Sequence, residues 1–181
     1  MTNHIDIRDA RPEDAEFIAW VVQTALDIPE PVSQDIVRVC ADTGTLYSWQ
    51  HTRIVSVGGQ NAGCLVSYRG DDYLGMREGT WQRCWPNADL HDLRDVAIEA
   101  FPGEYYLDSM SIKPEFRGLG LGKLLLLDGI EHARSKGCKS ATLIVSVDKP
   151  HLQAYYQQVG FQLCGNLSFF GHGYNRMRHT I

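Results

Sequence analysis

The chain has no long apolar run, although apolar residues make up 44% of its 181 positions. A membrane-crossing helix needs about 20 consecutive, mostly apolar residues, so the sequence predicts neither a membrane span nor a membrane partner. The segment 1–11 also lacks the apolar core of a secretion signal. We therefore expect a cytoplasmic protein.

An excess of positive charge is absent too. Lys and Arg total 17 against 22 Asp and Glu, which gives a net charge of −5. Nucleic-acid binders use clustered Lys and Arg side chains to contact phosphates. The composition therefore predicts no nucleic-acid partner.

The residue spacings that hold metal ions in proteins are missing. The seven histidines include no H-E-x-x-H pattern, and the cysteines include no C-x-x-C pair. Without these spacings we expect no metal cofactor. The odd number and wide spacing of the cysteines favour free thiols in a reducing compartment. They are Cys40, Cys64, Cys84, Cys138 and Cys164.

Strand and helix patterns alternate along the chain, as is typical of an α/β domain, and we expect one such domain over residues 1–181. The first half predicts a strand at Ile5–Arg8, a helix beginning near Pro12, a weaker helix after Ser33, and a hairpin with the turn Gly58–Asn61. Residues 71–103 are less regular, and only a helix from about Leu90 to Phe101 is predicted there.

The second half has a clearer pattern. It predicts a strand at Tyr105–Lys113, a helix ending near Lys136, a buried strand at Ser140–Val147, a short helix from Pro150 to Gly160, and strands at Phe161–Cys164 and Tyr174–Arg178. The predicted apolar stripe of the longer helix is Leu126, Leu127, Ile130 and Ala133.

A glycine-rich turn, Arg117–Lys123, lies between the strand and the longer helix. A helix N-terminus offers unpaired N–H groups and a partial positive charge, and glycines let a phosphate approach the backbone. Lys113 adds positive charge nearby. The turn therefore predicts a pyrophosphate site, and a plain strand-to-helix connection is the alternative.

Two common nucleotide-binding motifs do not fit this turn. The Walker pattern requires a glycine where Arg117 stands and a hydroxyl where Leu124 stands. The dinucleotide pattern requires a glycine where Lys123 stands. The spacing that does fit is Arg-x-x-Gly-x-Gly, formed by Arg117, Gly120 and Gly122.

That spacing resembles the acyl-CoA-binding motif of the GNAT N-acetyltransferase superfamily. The resemblance extends to the preceding strand in Leu107–Gly118, to a Tyr-x-x-x-Gly-Phe motif in Ala154–Phe161, and to the opening segment Ile7–Ala15. It implies a single α/β domain with a mixed, mainly antiparallel sheet flanked by helices, in which two central strands splay apart. Residues 71–103 lie outside its motifs and are expected to be family-specific.

The resemblance implies acetyl-CoA as cosubstrate and no metal. The pantetheine arm would pair with the main chain of Met110, Ser111 and Ile112. The pyrophosphate would lie on the turn and helix start formed by Arg117, Gly118, Leu119, Gly120, Leu121, Gly122 and Lys123. Many members have an Asn seven residues before the motif tyrosine. This chain has Lys149 there, so that contact to CoA is not carried over.

Acetyl transfer to an amine needs a base for the ammonium, donors for the tetrahedral oxygen, and stabilisation of the leaving thiolate. The resemblance makes Tyr156 the candidate acid, with Tyr155 in reserve. Because Leu152, Tyr156 and Val159 share a helical face, a core role for Tyr156 is the alternative.

Asp108 and Glu104 are the two candidate bases. Partial burial would raise the pKa of either carboxyl toward a useful range, and a solvated or structural acid is the alternative for each. Asp108 alternates with Met110 and Ile112. Regular alternation predicts that these three side chains share one face of the strand.

The leading interpretation is an acetyl-CoA-dependent N-acetyltransferase that acts on a primary amine of a small molecule or a peptide. The alternatives are a non-catalytic acyl-CoA-binding sensor of the same fold and, disfavoured by the motifs, a nucleotide-binding protein of another fold. The loop Phe169–Tyr174, Trp81 and Trp85 are candidate walls of the acceptor pocket. A monomer and a homodimer are both left open.

Overall fold

Seven strands form one mixed sheet in the order β1-β2-β3-β4-β5-β7-β6. The computed structural model describes residues 4–84, 96–169 and 171–181, apart from the side chain of Phe169. Neighbouring strands are antiparallel except β4 and β5, which run parallel. The strands are β1 Ile5–Asp9, β2 Thr52–Val57, β3 Gln60–Arg69, β4 Glu104–Ile112, β5 Ser140–Ser146, β6 Gln162–Phe169 and β7 His172–Thr180. The sheet confirms the predicted fold class.

Helices cover both faces of this sheet. They are α1 Ala15–Ala25, α2 Gln34–Ala41, α3 Tyr73–Cys84, α4 Leu121–Ser135 and α5 Pro150–Gln158. A hydrophobic core lies on each face of the sheet, and alternate side chains of β3 contribute to the two cores. Val66 packs in the core with α1 and α2, and Leu65 packs in the core with α4. The central strands are therefore apolar on both faces.

The apolar face of α4 is rotated from the predicted stripe. Leu127 is 45% exposed, whereas Leu125 is fully buried. Four consecutive leucines at positions 124–127 made the phase of the helix ambiguous in the sequence. The packing of α4 on the sheet determines which of these leucines are buried. The buried positions of the helix follow the spacing of one helical face. They are Leu121, Leu125, Leu126, Gly129, Ile130 and Ala133.

The hairpin turn between β2 and β3 is shorter than predicted. Only Gly58 and Gly59 lie in it, with φ angles of 57° and 81°, and Gln60 already belongs to β3. Two consecutive residues with positive φ suit a two-residue hairpin turn, whose twist matches that of the flanking strands. The predicted four-residue turn was therefore wrong in length.

The segment before β4 also differs from the prediction. Residues 96–101, which belong to the predicted helix from Leu90 to Phe101, are not helical, and the rest of that helix lies outside the described residues. A helix that was not predicted, α3, occupies Tyr73–Cys84 instead. Only Tyr73 and Thr80 of α3 are buried, so its sequence carries little apolar periodicity.

Candidate active site

The glycine turn forms an open cradle at the start of α4. Gly118 and Gly120 have φ angles of 80° and 76°, and a Cβ atom added to either would meet no atom within 4 Å. The first hydrogen bond of the helix runs from Leu124 N–H to the Gly120 carbonyl at 3.2 Å. The three preceding N–H groups therefore have no partner inside the helix.

Positive side chains border this cradle. Arg117 and Lys123 are exposed, and Arg117 donates from Nε to the Ile112 carbonyl at 3.2 Å. Lys113, in contrast, lies against α1, with its Nζ 5.3 Å from the centroid of the Phe17 ring. The cradle thus combines open backbone, a helix N-terminus and cationic side chains, as a pyrophosphate requires.

Strands β4 and β5 separate next to the cradle. Their pairing covers only Glu104 to Tyr106 against Ser140 to Thr142. Beyond that point β4 stays paired with β3 as far as Ile112, and β5 stays paired with β7 as far as Ser146. The facing edges of Leu107–Ile112 and Leu143–Ser146 are therefore apart, and the predicted splay of the two central strands is confirmed.

A bulge in β4 redirects the side chains in the splayed part. Leu107 pairs with Ser67 and Ser109 pairs with Val66, so Asp108 is an extra residue on its strand. Asp108 consequently points to the α1 side, where it meets Tyr68, whereas Met110 packs in the α4 core. The prediction that Asp108 shares a face with Met110 and Ile112 was wrong, because a bulge breaks the alternation.

Asp108 is held by two hydroxyl groups. Tyr68 donates a short hydrogen bond to one of its carboxylate oxygens, and Ser109 donates to the other at 2.8 Å. Burial raises the pKa of the Asp108 carboxyl, while these two hydrogen bonds act in the opposite direction. A carboxylate in this position can accept a proton more readily than an exposed one.

Glu104 has a different environment at the paired end of β4. Its carboxylate contacts the guanidinium groups of Arg176, at a short distance, and Arg178, at 3.2 Å. It also accepts from the Phe101 N–H at 3.3 Å. Two cations and a backbone donor occupy its oxygens, so these contacts favour a structural role over that of a base.

The two tyrosines of α5 lie on the α4 side of the splay. A Cβ added to Gly122 would lie 2.8 Å from the Tyr155 hydroxyl and 3.7 Å from the Met110 methyl group. The ring of Tyr156 packs between Tyr155 and Phe161, with centroids 5.8 and 6.2 Å away. The reserve candidate, Tyr155, therefore touches the first turn of the cradle helix.

Burial makes both phenols weak acids. It raises the pKa of Tyr156 to about 12, with the neighbouring Tyr155 adding to the shift. Burial also raises the pKa of Tyr155. A thiol has an ordinary pKa of about 8.5, so either phenol is suited to donating a hydrogen bond to a leaving sulfur rather than to giving up its proton fully.

Glu99 lies beside this site and was not identified from the sequence. It precedes β4 and accepts hydrogen bonds from the hydroxyls of Tyr106 at 2.7 Å and Tyr73 at 3.4 Å. Burial, and after it the charge of Asp108, raises the pKa of Glu99 to about 7. Its partners come from α3 and β4, so no local sequence pattern identifies it.

The residues predicted around the acceptor are only partly described. Lys149, which stands where many family members have the Asn that contacts CoA, occupies the N-cap position of α5, and its Nζ lies 2.5 Å from a carboxylate oxygen of Asp27 in the α1–α2 connection. Trp81 lies on α3, whereas Trp85, Phe170 and the side chain of Phe169 are outside the described part of the structure.

In the ranges given above, no group of three or more His, Cys, Asp or Glu side chains could hold a metal ion. No described helix is long and apolar enough to span a membrane.

Residues 29–161 match the model of the acetyltransferase (GNAT) family. This match covers most of the chain and includes the cradle, the splayed strands and α5. The chain therefore belongs to the GNAT acetyltransferase family.

Individual relatives agree with this assignment. A solved acetyltransferase has a TM-score of 0.78 and 29% identity, over 97% of this chain and 99% of its own. An N-acetyltransferase from Staphylococcus aureus Mu50 has a TM-score of 0.79 and 25% identity, over 96% of this chain and 99% of its own. A mycothiol acetyltransferase from Paenarthrobacter aurescens (strain TC1) is 41% identical over 59 residues, which are 33% of this chain but only 18% of that protein.

Proposed function

We propose that the protein is an acetyl-CoA-dependent N-acetyltransferase that transfers the acetyl group to a primary amine of a small molecule or a peptide by direct attack on the thioester. The observation that carries the proposal is the open glycine cradle at the start of α4, directly beyond the splayed end of β4 and β5. Membership of the acetyltransferase family supports the same reaction class.

Acetyl-CoA would bind with its pyrophosphate on the turn from Arg117 to Lys123. The unpaired N–H groups of Leu121, Gly122 and Lys123 suit phosphate oxygens, since they lie at the positive end of the helix dipole. The pantetheine arm would enter the gap between β4 and β5. There the main chain of Met110, Ser111 and Ile112 has no partner strand on the β5 side.

Asp108 is the proposed base. It would take a proton from the acceptor ammonium, which has an ordinary pKa of about 10 and is not nucleophilic while charged. The freed lone pair attacks the thioester carbon, and a backbone N–H of the splayed part of β4 would stabilise the oxygen of the tetrahedral intermediate. As the intermediate collapses, the nitrogen releases its second proton to water, the C–S bond breaks, and the CoA thiolate leaves with the bonding electron pair.

Tyr156 is the proposed donor to the leaving sulfur, in agreement with the Tyr-x-x-x-Gly-Phe motif. Its high pKa keeps the hydroxyl protonated at neutral pH, so it can donate a hydrogen bond throughout the reaction. The thiolate then takes its proton from water. Tyr155, whose hydroxyl abuts Gly122, would mainly shape the cradle for the cosubstrate.

Release of free thiol from acetyl-CoA in the presence of an amine panel tests this proposal. The panel should include diamines, amino sugars, amino acid amides and peptides with a free N-terminus. We expect turnover with at least one amine class, an acetylated product by mass spectrometry, and loss of turnover in Asp108→Asn. Binding of acetyl-CoA without turnover across the panel would instead support the non-catalytic sensor of the same fold.

A further inference from the structure

Two half-buried carboxyl groups and three buried tyrosines form a cluster on the α1–α3 side of the splay. Glu99 accepts from Tyr106 and Tyr73, and Asp108 accepts from Tyr68. The tyrosines come from three elements, β3, α3 and β4. Each tyrosine hydroxyl donates a hydrogen bond to a carboxyl oxygen. These hydrogen bonds favour the negatively charged form of the two acids.

The rings of these tyrosines lie next to one another. Tyr68 and Tyr73 are stacked with centroids 6.3 Å apart, and Tyr68 and Tyr106 are 5.8 Å apart. All three side chains are at least 97% buried. The aromatic layer therefore connects Glu99 and Asp108 in surroundings where charges are poorly screened.

Among residues 4–84, 96–169 and 171–181, Arg77 is the positive group that acts on Glu99. Arg77 of α3 lies over the ring of Tyr73 with its guanidinium carbon 5.6 Å from the centroid, and it lowers the pKa of Glu99 less than burial and Asp108 raise it. Further titratable or charged groups in the described part of the chain include His51 and Tyr47 before β2, Tyr174 on β7, the pair Lys149 and Asp27 near Tyr174, Cys84 near Tyr47, and Asp72 near His51. The pKa of His51 is lowered by burial, so it adds no charge at neutral pH.

We infer that Glu99 is a positioning residue for the proposed transfer: its charge, held beside Asp108 by Tyr106 and Tyr73, keeps Asp108 able to accept the proton of the acceptor amine. This inference rests on the proposed function. Two neighbouring carboxyls in a poorly screened site do not both ionise readily. This repulsion is reciprocal, so each ionised carboxyl strengthens the affinity of the other for a proton, and the pair takes up one proton between them.

The proton balance of the step is simple. The N–H bond of the ammonium breaks, its electron pair stays on nitrogen, and the proton moves to a carboxylate oxygen of Asp108. The proton leaves to water after the amide has formed. Glu99 forms no bond to the substrate and acts only through its charge on Asp108.

The pH dependence of kcat/KM in Glu99→Gln tests this role. Glutamine keeps an oxygen that accepts from Tyr106 and Tyr73 but removes the charge. We expect the midpoint on the acid side of this profile to shift to a pH lower by about 1 unit. The affinity for acetyl-CoA should not change. Glu99→Asp retains the charge, so its midpoint should lie at least halfway back from the Glu99→Gln value to the wild-type value. Glu78→Gln removes the same charge from the exposed face of α3 and should leave the profile in place.

A measurement without turnover separates this inference from the proposed function. The ¹³C carboxyl signal of Asp108, assigned with Asp108→Asn, can be titrated in the free protein. We expect its midpoint in Glu99→Gln to be lower than in the wild type by about 1 pH unit. Equal midpoints in the two proteins, or an equal shift in Glu78→Gln, would overturn the role of Glu99. A shifted midpoint with no turnover on any amine would overturn the proposed function and leave the electrostatic coupling standing.

Discussion

At the scale of single residues, the two sides of the splay carry different polar side chains, a carboxyl group on one side and tyrosines of α5 on the other. The bulge in β4 directs Asp108 toward Tyr68 on the α1 side, and α5 brings Tyr155 against Gly122 on the α4 side. The proposed base, Asp108, and the proposed donor to the sulfur, Tyr156, lie on opposite sides and leave the gap between the strands for the thioester. The attacking amine and the leaving sulfur would therefore be handled by separate groups.

Replacing each tyrosine of α5 by phenylalanine should separate their roles. Tyr156→Phe removes the proposed donor to the sulfur, so we expect kcat to fall about 10²-fold with little change in acetyl-CoA affinity. Tyr155→Phe alters the cradle, so we expect weaker acetyl-CoA binding and a smaller change in kcat. Steady-state kinetics and calorimetry measure both quantities. The assignment is wrong if Tyr156→Phe keeps the wild-type kcat while chemistry is shown to limit the rate.

Gly122→Ala should interfere with the cradle without unfolding the helix. Its added Cβ would lie 2.8 Å from the Tyr155 hydroxyl, so the Tyr155 ring must shift and the shape of the cradle changes. We expect acetyl-CoA to bind several-fold more weakly, while the preference of helices for alanine offsets part of the strain. The double variant with Tyr155→Phe should bind better than Gly122→Ala alone. Additive losses in this double-mutant cycle would show that the two residues do not interact.

At the scale of elements, α4 connects the core to the proposed cosubstrate site. Its N-terminus forms the cradle, and Gly129 in its middle lets the helix approach β3 and β4 closely. A Cβ at Gly129 would lie 2.9 Å from both Leu65 and Leu107 side chains. The position of the helix start therefore depends on how tightly its middle packs on the sheet.

Gly129→Ala should destabilise the fold by about 1–3 kcal/mol, because it overpacks this contact. Gly75→Ala is the matched control: it lies within α3, and an added Cβ there meets no atom within 4 Å. It should stabilise the protein by about 0.5–1 kcal/mol through helix propensity. Urea denaturation gives both free energies of unfolding. A Gly129→Ala protein as stable as the wild type would contradict the close packing of α4.

The elements differ in how far the sequence determines them. The order from β4 to α5 could be predicted, because its apolar periods are regular and glycines stand at the turns. The helix α3 could not, since it buries only two residues and contains two glycines. The bulge at Asp108 depends on register with β3, and Glu99 depends on tyrosines from other elements, so neither leaves a local pattern. The residues of the proposed CoA turn could be named from the sequence, but the partners of the proposed base could not.

At the scale of the whole molecule, buried acids make stability depend on pH in two opposite ways. Arg8 forms a bidentate pair with Asp14 at 2.8 Å and lowers the pKa of that carboxyl. This contribution is present above the ordinary pKa of Asp14, 3.8, and is lost as the pH falls through its folded-state pKa. Glu99 has a raised pKa. Its contribution is present below its ordinary value and is lost as the pH rises toward about 7.

We therefore expect the wild-type protein to lose stability between pH 5 and pH 8 relative to Glu99→Gln. The rise in the pKa of Glu99 from 4.5 to about 7 sets an upper bound of about 3 kcal/mol on this difference. Asp14 stays ionised over that range and does not contribute. Urea unfolding at both pH values measures the effect, with Glu78→Gln as the charge control. Parallel pH dependence in wild type and Glu99→Gln would show that Glu99 ionises normally.

Binding of acetyl-CoA at the glycine cradle tests the central claim most directly. Acetyl-CoA at 100 times its dissociation constant should stabilise the wild type by about 2.7 kcal/mol, whereas ATP and NAD should give no comparable thermal shift. Gly120→Glu should abolish the shift by placing bulk and negative charge against the pyrophosphate. Gly44→Glu adds the same charge at a matching φ of 72° in open space between α2 and β2, and it should keep the full shift. A wild-type acetyl-CoA shift in Gly120→Glu would contradict the account.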